Sequence, residues 1–393
     1  DLLRRVGAAA GADRLIDVSR CHLVGAYDIG PGNRALLDRL VSWEARVRVP
    51  TTLNASSACL GSGAPGDPGE RERARAMVER YVTLGCQPTL TCAPYQAAEP
   101  PGLGECIAWA ESNAVVYANS VLGARTNHTV QYLDLAAALT GRIPRAGLYR
   151  DERRRATVEV EASLLADGDV RRGGGFALLG LWIGGWASRN DVPLIVGLPE
   201  DTTTDELRTL GAAAASAGSL AMFHAAGLTP ESPDTLSLAG AGSLSRRVLT
   251  REMLETVAGR FTAPAGTVLD AVCLGTPHYS LGELRRLAGL LRRAPGAPRI
   301  PIIVSLSRAT LDLAVAEGLD AALEAGGVTL VTDTCTYFGS TVSVRAGTVM
   351  TDSAKWAWYG GGNHRVRAVL AGLEACVASA LDGRVIHGES GLS

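Results

Sequence analysis

The chain has 393 residues, 47% of them hydrophobic, which is enough apolar material for two or three domains or one large α/β unit. Its net charge of −2 leaves no excess of basic residues of the kind that nucleic-acid-binding proteins use. No apolar run reaches the ~18 residues of a membrane span and the first residues lack a signal-peptide pattern, so we expect a cytoplasmic protein whose partners are small molecules or proteins.

The cysteines and the single lysine stand out in the composition. Eight cysteines are scattered without a CxxC pair or regular spacing, which favours reduced thiols over a disulfide framework in a long chain without a secretion signal. Of the 38 basic residues, one alone is a lysine, Lys355. Lys offers a compact ammonium whose pKa its surroundings can change, so Lys355 is a candidate site residue, with chance survival of a surface Lys as the alternative.

The N-terminal third predicts alternating helices and strands. Residues 34–43 have the apolar spacing of a helix, residues 45–49 alternate as a strand, and PTTLN follows with Asn54. An amphipathic helix at 71–85 comes next, and the short strand PTLTCAPY then carries Cys92. Groups just beyond strand ends often bind ligands in α/β proteins, so Asn54 and Cys92 are candidate site residues.

The stretch CIAWAESNAVVYANSVLGARTN, residues 106–127, is rich in hydrogen-bonding side chains. It begins with a helical pattern and then sets these polar residues among small apolar ones: Ser112, Asn113, Asn119, Ser120, Arg125, Thr126 and Asn127. A buried polar group without a partner costs free energy, so this segment needs partners for its side chains inside the fold.

The remaining elements divide the chain into three parts. We expect an N-terminal α/β domain at 1–155, a helix-rich middle region at 156–260 and a C-terminal α/β domain at 261–393. In the middle region, RATVEVEASL and VPLIVGL predict strands, and the apolar segment from Gly173 predicts a buried helix. From Gly266 onward, strand, loop and helix alternate regularly, which predicts a parallel sheet covered by helices on both faces.

Polar and thiol side chains follow the strands of this C-terminal sheet and are expected to meet at one edge. They are Cys273, Thr276, His278, Ser280, Ser305, Ser307, Arg308, Asp333, Cys335 and Thr336. Three thiols on separate loops, those of Cys92, Cys273 and Cys335, match the way an iron–sulfur cluster is held, while a small buried side chain is the alternative for each. His278 follows a strand and a proline, and is either a site residue or a loop-stabilising one.

Residues 349–363, VMTDSAKWAWYGGGN, place Lys355 beside aromatic residues and ahead of three glycines. A Gly run lets the backbone approach a ligand, so this segment predicts an anion pocket, with a packed turn as the alternative. The sequence has no GxxxxGK[ST], GxSxG or HExxH, and no GxGxxG after a strand, which argues against nucleotide-binding, serine hydrolase and zincin functions.

Nine segments of the chain resemble the aconitase X family. They are, in order, LIDVSRCHLVG, VRVPTTLNA, LTCAPYQ, GECIAWAESNAVVYANSVLGARTN, LDLAAALTGRIP, MFHAAGLTPE, LGTPHYSLGEL, DTCTYF and VMTDSAKWAWYGGGN. The resemblance implies an aconitase-like α/β fold that corresponds to the family's large subunit or large domain, without the small swivelling domain. It also implies a hydro-lyase that uses an iron–sulfur cluster.

Two activities are associated with the family, the dehydration of cis-3-hydroxy-L-proline to Δ1-pyrroline-2-carboxylate and the dehydration of mevalonate 5-phosphate. GTPH, LIDVS and MFHAAGLTPE are similar to the hydroxyproline branch, which makes that reaction the expected one and mevalonate 5-phosphate the alternative. A non-catalytic homologue that binds a ligand or scaffolds a partner is a further alternative, because a cluster cysteine and the small subunit are missing.

The resemblance assigns Cys92 and Cys335 to the cluster. Thr276 stands where the family has its third cysteine, and Cys273 is the candidate replacement. A reduced cluster, a mononuclear iron and no metal are therefore all open. The family also needs a small swivelling subunit or domain that contributes a catalytic Ser, and we expect this chain to bind such a subunit as a separate partner.

Dehydration requires removal of a weakly acidic proton next to a carboxylate, which cations and donors assist by stabilising the developing charge. We expect Arg125 to clamp the substrate carboxylate, Lys355 to assist, and iron to help the hydroxyl leave. The base is open among Lys355, His278 and the Ser of the small subunit. The expected substrate-binding residues, which would form the floor of the site, are Asn54, Ser112, Asn113, Asn119, Ser120, Arg125, Thr126, Ser307 and Asn363.

Overall fold

We describe the protein from a computed structural model, in which the described residues are 1–61, 66–96, 99–129, 131–232, 244–337, 347–364 and 366–388. The side chains of residues 361–364 lie outside the described part. Short parallel sheets alternate with helices along the chain, which confirms the predicted α/β class.

The N-terminal elements supply two short sheets. They are α1 (Leu2–Ala9), β1 (Leu15–Asp17), β2 (Cys21–Leu23), α2 (Pro31–Ser42), β3 (Thr51–Leu53), α3 (Pro68–Thr83), β4 (Ala108–Trp109), α4 (Ser112–Ser120), α5 (Leu133–Thr140) and β5 (Arg142–Pro144). The strands β3-β2-β4 form a parallel sheet, and β1 pairs antiparallel with β5. The helix α3 begins where Asp67 accepts a hydrogen bond from the N–H of Glu70 at 2.7 Å and Pro68 presets the first turn.

Two N-terminal segments that the sequence predicts as strands join no sheet. In ARVRV, the N–H groups of Val47 and Arg48 donate to carbonyls of two different segments at 2.9 and 2.8 Å. In the region of PTLTCAPY, the described pairing is one isolated bridge between Gln87 and Thr52. These two strand predictions are wrong because apolar alternation reports which side chains are buried, and the valines of ARVRV do pack against the N-terminal core.

The middle region contains a parallel sheet besides its helices. Its elements are β6 (Val158–Glu161), α6 (Gly168–Arg172), α7 (Gly175–Gly184), β7 (Pro193–Val196), α8 (Thr204–Gly218), β8 (His224–Ala225), β9 (Ser245–Val248) and α9 (Arg251–Ala258). The sheet order is β8-β7-β6-β9. The sequence predicts β6 and β7, whereas β8 has two residues and β9 exposes all four side chains, so neither carries a hydrophobic pattern.

The helix α7 is the buried helix that the sequence predicts. Nine of its ten residues are buried, and it packs directly on α8. A Cβ at Gly180 would lie 2.3 Å from the carbonyl oxygen of Leu210, so glycine is required for this close approach. The contact anchors α8 inside the protein. Among the described helices, none combines the length and the apolar character needed to cross a membrane.

The C-terminal elements follow the predicted order of strand, loop and helix. They are β10 (Ala271–Tyr279), α10 (Leu281–Arg292), β11 (Ile302–Leu306), α11 (Arg308–Ala316), α12 (Leu319–Ala325), β12 (Val328–Val331), β13 (Thr348–Thr351), α13 (Ala354–His364), β14 (Arg367–Leu370) and α14 (Leu373–Asp382). The five strands form a parallel sheet in the order β12-β11-β10-β13-β14. Two helices, α11 and α12, lie between β11 and β12, and Gly318 separates them with a φ of 67°.

The central strand β10 has an irregular end that matters for the site. All of its residues are buried, and its ladder to β11 is interrupted between Leu274 and Tyr279. Gly275 permits the interruption, since its φ is 83° and a Cβ there would lie 2.1 Å from the carbonyl oxygen of Ser305. His278 therefore lies within this strand rather than in the loop after it, and its backbone groups bond outside the sheet.

Candidate metal centre and active site

Two cysteines and one histidine from distant parts of the sequence meet at one buried point. The sulfurs of Cys92 and Cys335 are 3.7 Å apart, and the backbone N–H of His278 donates to the sulfur of Cys92 at 3.3 Å. One ligand atom from each residue lies within 4.8 Å of those of the other two. The three side chains are at most 3% exposed. Two thiols and an imidazole at this spacing are a donor set for a metal such as iron or zinc.

The loop that carries Cys335 is tied to the N-terminal domain through Asp333. This residue has a positive φ of 71°, and its carboxylate accepts two hydrogen bonds from Arg308 at 2.6 and 2.9 Å. Its backbone carbonyl accepts from the N–H of Ser56 at 2.7 Å, and its side chain accepts from the N–H of Leu60 at 3.1 Å. The loops after β3 and β12 are thus held together, as expected for groups at the carboxyl ends of strands.

The imidazole of His278 is oriented by two hydrogen bonds. Its Nε2 lies 3.0 Å from the carbonyl oxygen of Thr334, and its Nδ1 lies 3.0 Å from the hydroxyl of Thr91. A carbonyl can only accept, so Nε2 carries the proton and Nδ1 keeps a lone pair that accepts the Thr91 hydroxyl. Metal-binding histidines commonly donate their other ring N–H to a backbone carbonyl in this way. Nδ1 is therefore the one ligand atom that His278 offers, and a metal there would take the place of the Thr91 hydroxyl.

The two thiols differ in acidity. Burial raises the pKa of Cys92, but the hydrogen bond from Cys335 and the proximity of His278 and Lys355 outweigh it and lower the pKa to about 6. The same hydrogen bond, together with burial, raises the pKa of Cys335 well above its usual value. The pair therefore favours a thiolate at Cys92 over one at Cys335. Because the thiolate is the form that binds metals, the donor set is prepared for a cation.

A buried ion pair lies next to the Cys–His–Cys group. Lys355, in the first turn of α13, donates to a carboxylate oxygen of Glu111 and, at 3.4 Å, to the hydroxyl of Ser112. Its side chain is 4% exposed and that of Glu111 is 6% exposed. Burial lowers the pKa of Lys355, but the charges of Glu111 and Cys92 outweigh it and raise the pKa above its usual value. Asn113 joins the pair to the thiols, since its amide donates to Glu111 and, at 3.0 Å, to the carbonyl of Cys92.

Several polar atoms around these groups have no hydrogen-bond partner among the described residues. They are Asn54 Oδ1, Thr276 Oγ1, Ser305 Oγ and Thr334 Oγ1. The three hydroxyls belong to β10, to β11 and to the loop after β12, and their residues are at most 2% exposed. Leaving buried hydroxyls unpaired is costly, so their presence at one edge of the sheet fits a site that receives a metal centre or a polar ligand.

Three of the residues expected to bind substrate instead bind the protein itself. The amide of Asn119 makes four hydrogen bonds, to two backbone carbonyls, one backbone N–H and one Arg. The hydroxyl of Ser120 accepts from the N–H of Phe223 at 2.9 Å. The hydroxyl of Thr126 bonds both backbone groups of Trp109 at 3.1 and 3.2 Å. In this part of the segment 106–127, the buried polar groups form hydrogen bonds with one another and with the neighbouring backbone.

The start of the same segment reaches the candidate site through Ser112, Asn113 and Glu111. Sequence reasoning missed Glu111, which also caps α4 by accepting from the N–H of Ala114 at 2.8 Å. A signal was present, because Glu111 is the one acidic residue in the apolar stretch 106–127. Its partner Lys355 lies 244 positions away, so the pairing itself could not be read from the sequence.

The described side-chain contacts of Arg125 include neither the thiols nor Lys355. Its guanidinium pairs with Asp151 at 2.5 Å and donates to the carbonyl of Tyr149 at 3.5 Å. Asp151 is 80% exposed, so this pair faces solvent. The carboxylate-clamp role of Arg125 stays a prediction.

Cys273 lies outside the group formed by the other two candidate cysteines. It is fully buried in an apolar cluster with Trp356 and Val349, and burial raises its pKa to about 12. The residue of β10 that the structure brings to the two thiols is His278.

The last two residues expected to bind substrate are Ser307 and Asn363. Ser307 caps α11, where its hydroxyl accepts from the N–H of Thr310 at 3.0 Å. Asn363 lies in α13, and its side chain falls outside the described residues.

The sheets and the buried groups together define an α/β protein that presents thiol and imidazole donors, an ammonium and a carboxylate at one protected place. Comparison with models of protein families gives three matches along the chain. The aconitase X first domain matches residues 1–152, the aconitase X second domain matches 155–259, and the aconitase X third domain matches 269–382. The chain belongs to the aconitase X family, as the sequence motifs predict.

Individual relatives agree with this assignment. The chain is 40% identical to a cis-3-hydroxy-L-proline dehydratase of Pseudomonas aeruginosa over 98% of its length, and 37% identical to one of Hypocrea jecorina over 97%. It spans 66% and 65% of the lengths of those two proteins. It is 34% identical to the phosphomevalonate dehydratase large subunit of Thermococcus kodakarensis, with coverage of 91% of this chain and 89% of that subunit.

A solved structure shows the same fold. The crystal structure of Thermococcus kodakaraensis aconitase X in its holo form superposes with a TM-score of 0.86 at 32% identity, covering 96% of this chain and 94% of that chain. The predicted aconitase-like architecture is therefore confirmed.

Proposed function

We propose that this chain is the large catalytic part of a hydro-lyase that removes water from a small hydroxylated amino acid, cis-3-hydroxy-L-proline, to give Δ1-pyrroline-2-carboxylate. The observation that carries the proposal is the buried group of Cys92, Cys335 and His278 joined through Asn113 to the ion pair of Lys355 and Glu111. The hydroxyproline substrate is supported by the 40% and 37% identical relatives that bear this name.

The proposed metal ligands are Cys92, Cys335 and His278, with His278 in the place that the sequence gave to Cys273. The spacing of the donors, the lowered pKa of Cys92 and the tautomer of His278 support this set. Iron, alone or in an iron–sulfur cluster, would supply a Lewis acid that helps the hydroxyl of the substrate leave.

We assign Lys355 the role of a fixed cation. Its raised pKa keeps it protonated at neutral pH, so it cannot serve as a base without first losing the proton that binds Glu111. An ammonium held by Glu111 and Ser112 is suited to stabilise the negative charge that develops on a substrate carboxylate when the neighbouring proton is removed.

We assign the role of the base that accepts the substrate proton to a group other than Lys355 and His278. Nε2 of His278 donates to Thr334, and the lone pair of Nδ1 is the one that the proposed ligand set assigns to the metal, so no lone pair of His278 is left to accept a proton. This leaves the Ser of a small swivelling subunit or domain, which the family resemblance implies, as the proposed proton acceptor. The name "large subunit" of the Thermococcus kodakarensis relative supports a second subunit in that protein, and we propose such a partner here.

Mevalonate 5-phosphate is the second candidate substrate, because the chain spans 89% of a phosphomevalonate dehydratase large subunit at 34% identity. A phosphate would need cations beyond Lys355. Arg208, which is also buried nearby, pairs with Glu283 at 2.5 Å, and Arg125 pairs with Asp151. Lys355 is paired with Glu111 in the same way, so the preference for the carboxylate substrate rests on the higher identity to the hydroxyproline dehydratases.

The test combines metal analysis with turnover. Protein purified anaerobically together with its small subunit should contain iron and convert cis-3-hydroxy-L-proline faster than mevalonate 5-phosphate. Cys92→Ser and Cys335→Ser should lose iron and activity, whereas the matched control Cys273→Ser should keep both.

Two results would contradict the proposal. Iron-free protein with full dehydratase activity would remove the metal centre from the mechanism. Loss of iron in Cys273→Ser, with iron retained in Cys92→Ser, would show that the ligand set is wrong.

A further inference from the structure

Arg208 is a buried cation on α8 that contacts the backbone of a proposed metal ligand. Its side chain is 3% exposed, and its Nη1 donates to the carbonyl of His278 at 2.9 Å. Its Nη2 pairs with Glu283 at 2.5 Å and lies 3.6 Å from Asp205. Close contacts at both Nη atoms restrict how the planar guanidinium can turn, which favours the hydrogen bond to His278.

The backbone of His278 is held on both sides. Its carbonyl accepts a second hydrogen bond from the amide of Gln96 at 3.1 Å, and its N–H donates to the sulfur of Cys92 at 3.3 Å. The interrupted ladder at the end of β10 leaves these backbone groups without the usual strand partners. Side chains therefore replace the sheet in fixing where His278 lies relative to Cys92.

We propose that Arg208 is a positioning residue of the metal centre: by clamping the carbonyl of His278, it keeps the imidazole at ligand distance from Cys92 and Cys335. This role rests on the proposed ligand set. It makes the middle region, whose helix α8 carries Arg208, responsible for the geometry of a donor group drawn from the other two domains.

The helix α8 is a suitable base for such a clamp. It begins with a capping box in which Thr203 and Glu206 bond each other's backbone N–H groups, and it packs closely on α7. On the other side, Glu283 belongs to the capping box at the start of α10, where its carboxylate accepts from the N–H of Ser280 at 2.8 Å. Arg208 thus links two helices with capped N-termini, α8 and α10, and also donates to the carbonyl of His278.

The test must separate this positioning role from simple charge balance, because Arg208→Met leaves Glu283 buried without its cation. The double variant Arg208→Met/Glu283→Gln removes both charges, and Gln preserves the capping box of α10. The single variant Glu283→Gln keeps the bond from Arg208 to His278. Arg171→Met is the matched control. Arg171 pairs at 2.5 Å with Glu206 near the start of the same helix, and its described contacts do not include His278.

The readout is an anaerobic titration of the metal-free protein with Co²⁺, followed by the thiolate-to-cobalt band and the ligand-field bands, together with the melting temperature. Residues that orient metal ligands typically change metal affinity about 10- to 100-fold when they are replaced. We expect a Co²⁺ affinity at least about tenfold weaker and altered ligand-field bands in Arg208→Met and in the double variant. Glu283→Gln and Arg171→Met should match the wild type in both.

The melting temperature decides between the two explanations. It should fall in Arg208→Met and recover in the double variant, while the Co²⁺ affinity stays weak in both. Recovery of the wild-type affinity and bands in the double variant would overturn the proposal, because it would show that Arg208 only balances Glu283. Absence of a thiolate-to-cobalt band in the wild type would instead overturn the ligand set itself, and this role with it.

Discussion

The ion pair of Lys355 and Glu111 gives the sharpest test of the candidate site. Both side chains are nearly fully buried, so Lys355→Met leaves a carboxylate inside the protein without its cation. Removing one partner of a buried pair typically costs about 3–5 kcal/mol, because the remaining charge is uncompensated. We expect the double variant Lys355→Met/Glu111→Gln to cost only about 1 kcal/mol, since Gln can still accept the hydrogen bond that caps α4.

The measurement is urea unfolding followed by circular dichroism for the wild type, both single variants and the double variant. The double variant should be more stable than Lys355→Met by about 2–4 kcal/mol, which is the difference between the two expected costs. Arg285→Met is the control, because its pair with Glu317 is 55% and 38% exposed and such pairs contribute about 0–1 kcal/mol. If Lys355→Met costs no more than the double variant, the two charges do not depend on each other and the reasoning fails.

The stability that protonated Lys355 contributes depends on pH, and the raised pKa of Lys355 sets that dependence. A base whose pKa is higher in the folded state contributes its full stability below the unfolded pKa, ~10.4 for Lys, and loses it as the pH rises through the folded value. We therefore expect the part of the unfolding free energy that the protonation of Lys355 supplies to stay constant from about pH 6 to about pH 9.

Two further predictions concern residues outside the proposed centre. Asn119→Ala should lower the free energy of unfolding by about 3 kcal/mol, because it removes four buried hydrogen bonds. The iron content of the folded variant should be unchanged. Normal stability together with weakened substrate binding would instead show that Asn119 contacts the substrate. Burial raises the pKa of Asp134 from 3.8 to about 6, so the wild type should lose about 3 kcal/mol relative to Asp134→Asn as the pH rises from about 4 to about 6, with a constant difference at higher pH. Urea unfolding at several pH values tests the second prediction, and a pH-independent difference would contradict it.

The fold was predictable in those segments whose hydrophobic pattern matches the element that they form in the folded protein. The regular alternation after Gly266 predicted the parallel sheet, though not its number of strands, because each predicted strand is a short apolar run between helices that must cover both faces of the sheet. The pattern failed at ARVRV, where apolar alternation reflects packing against a core without a neighbouring strand. It also missed β9, whose exposed side chains carry no hydrophobic signal.

The candidate site was predictable in part. The family motifs assigned Cys92 and Cys335 to one cluster, and their sulfurs lie 3.7 Å apart. The choice between Cys273 and His278 was not predictable, because both belong to one strand and the irregular ladder after Gly275 decides which of them faces the thiols.

The sequence by itself determined the family, the parallel α/β architecture and the two cysteines, since these depend on motifs and on periodicities that each segment carries alone. The tertiary structure decided what each polar side chain binds. Asn119 and Asn113 look alike in the sequence, yet the amide of Asn119 is saturated by three backbone groups and one arginine, whereas Asn113 joins Glu111 to Cys92. A side chain's hydrogen-bonding capacity is a local property, but its partner is set by which distant segments fold against it.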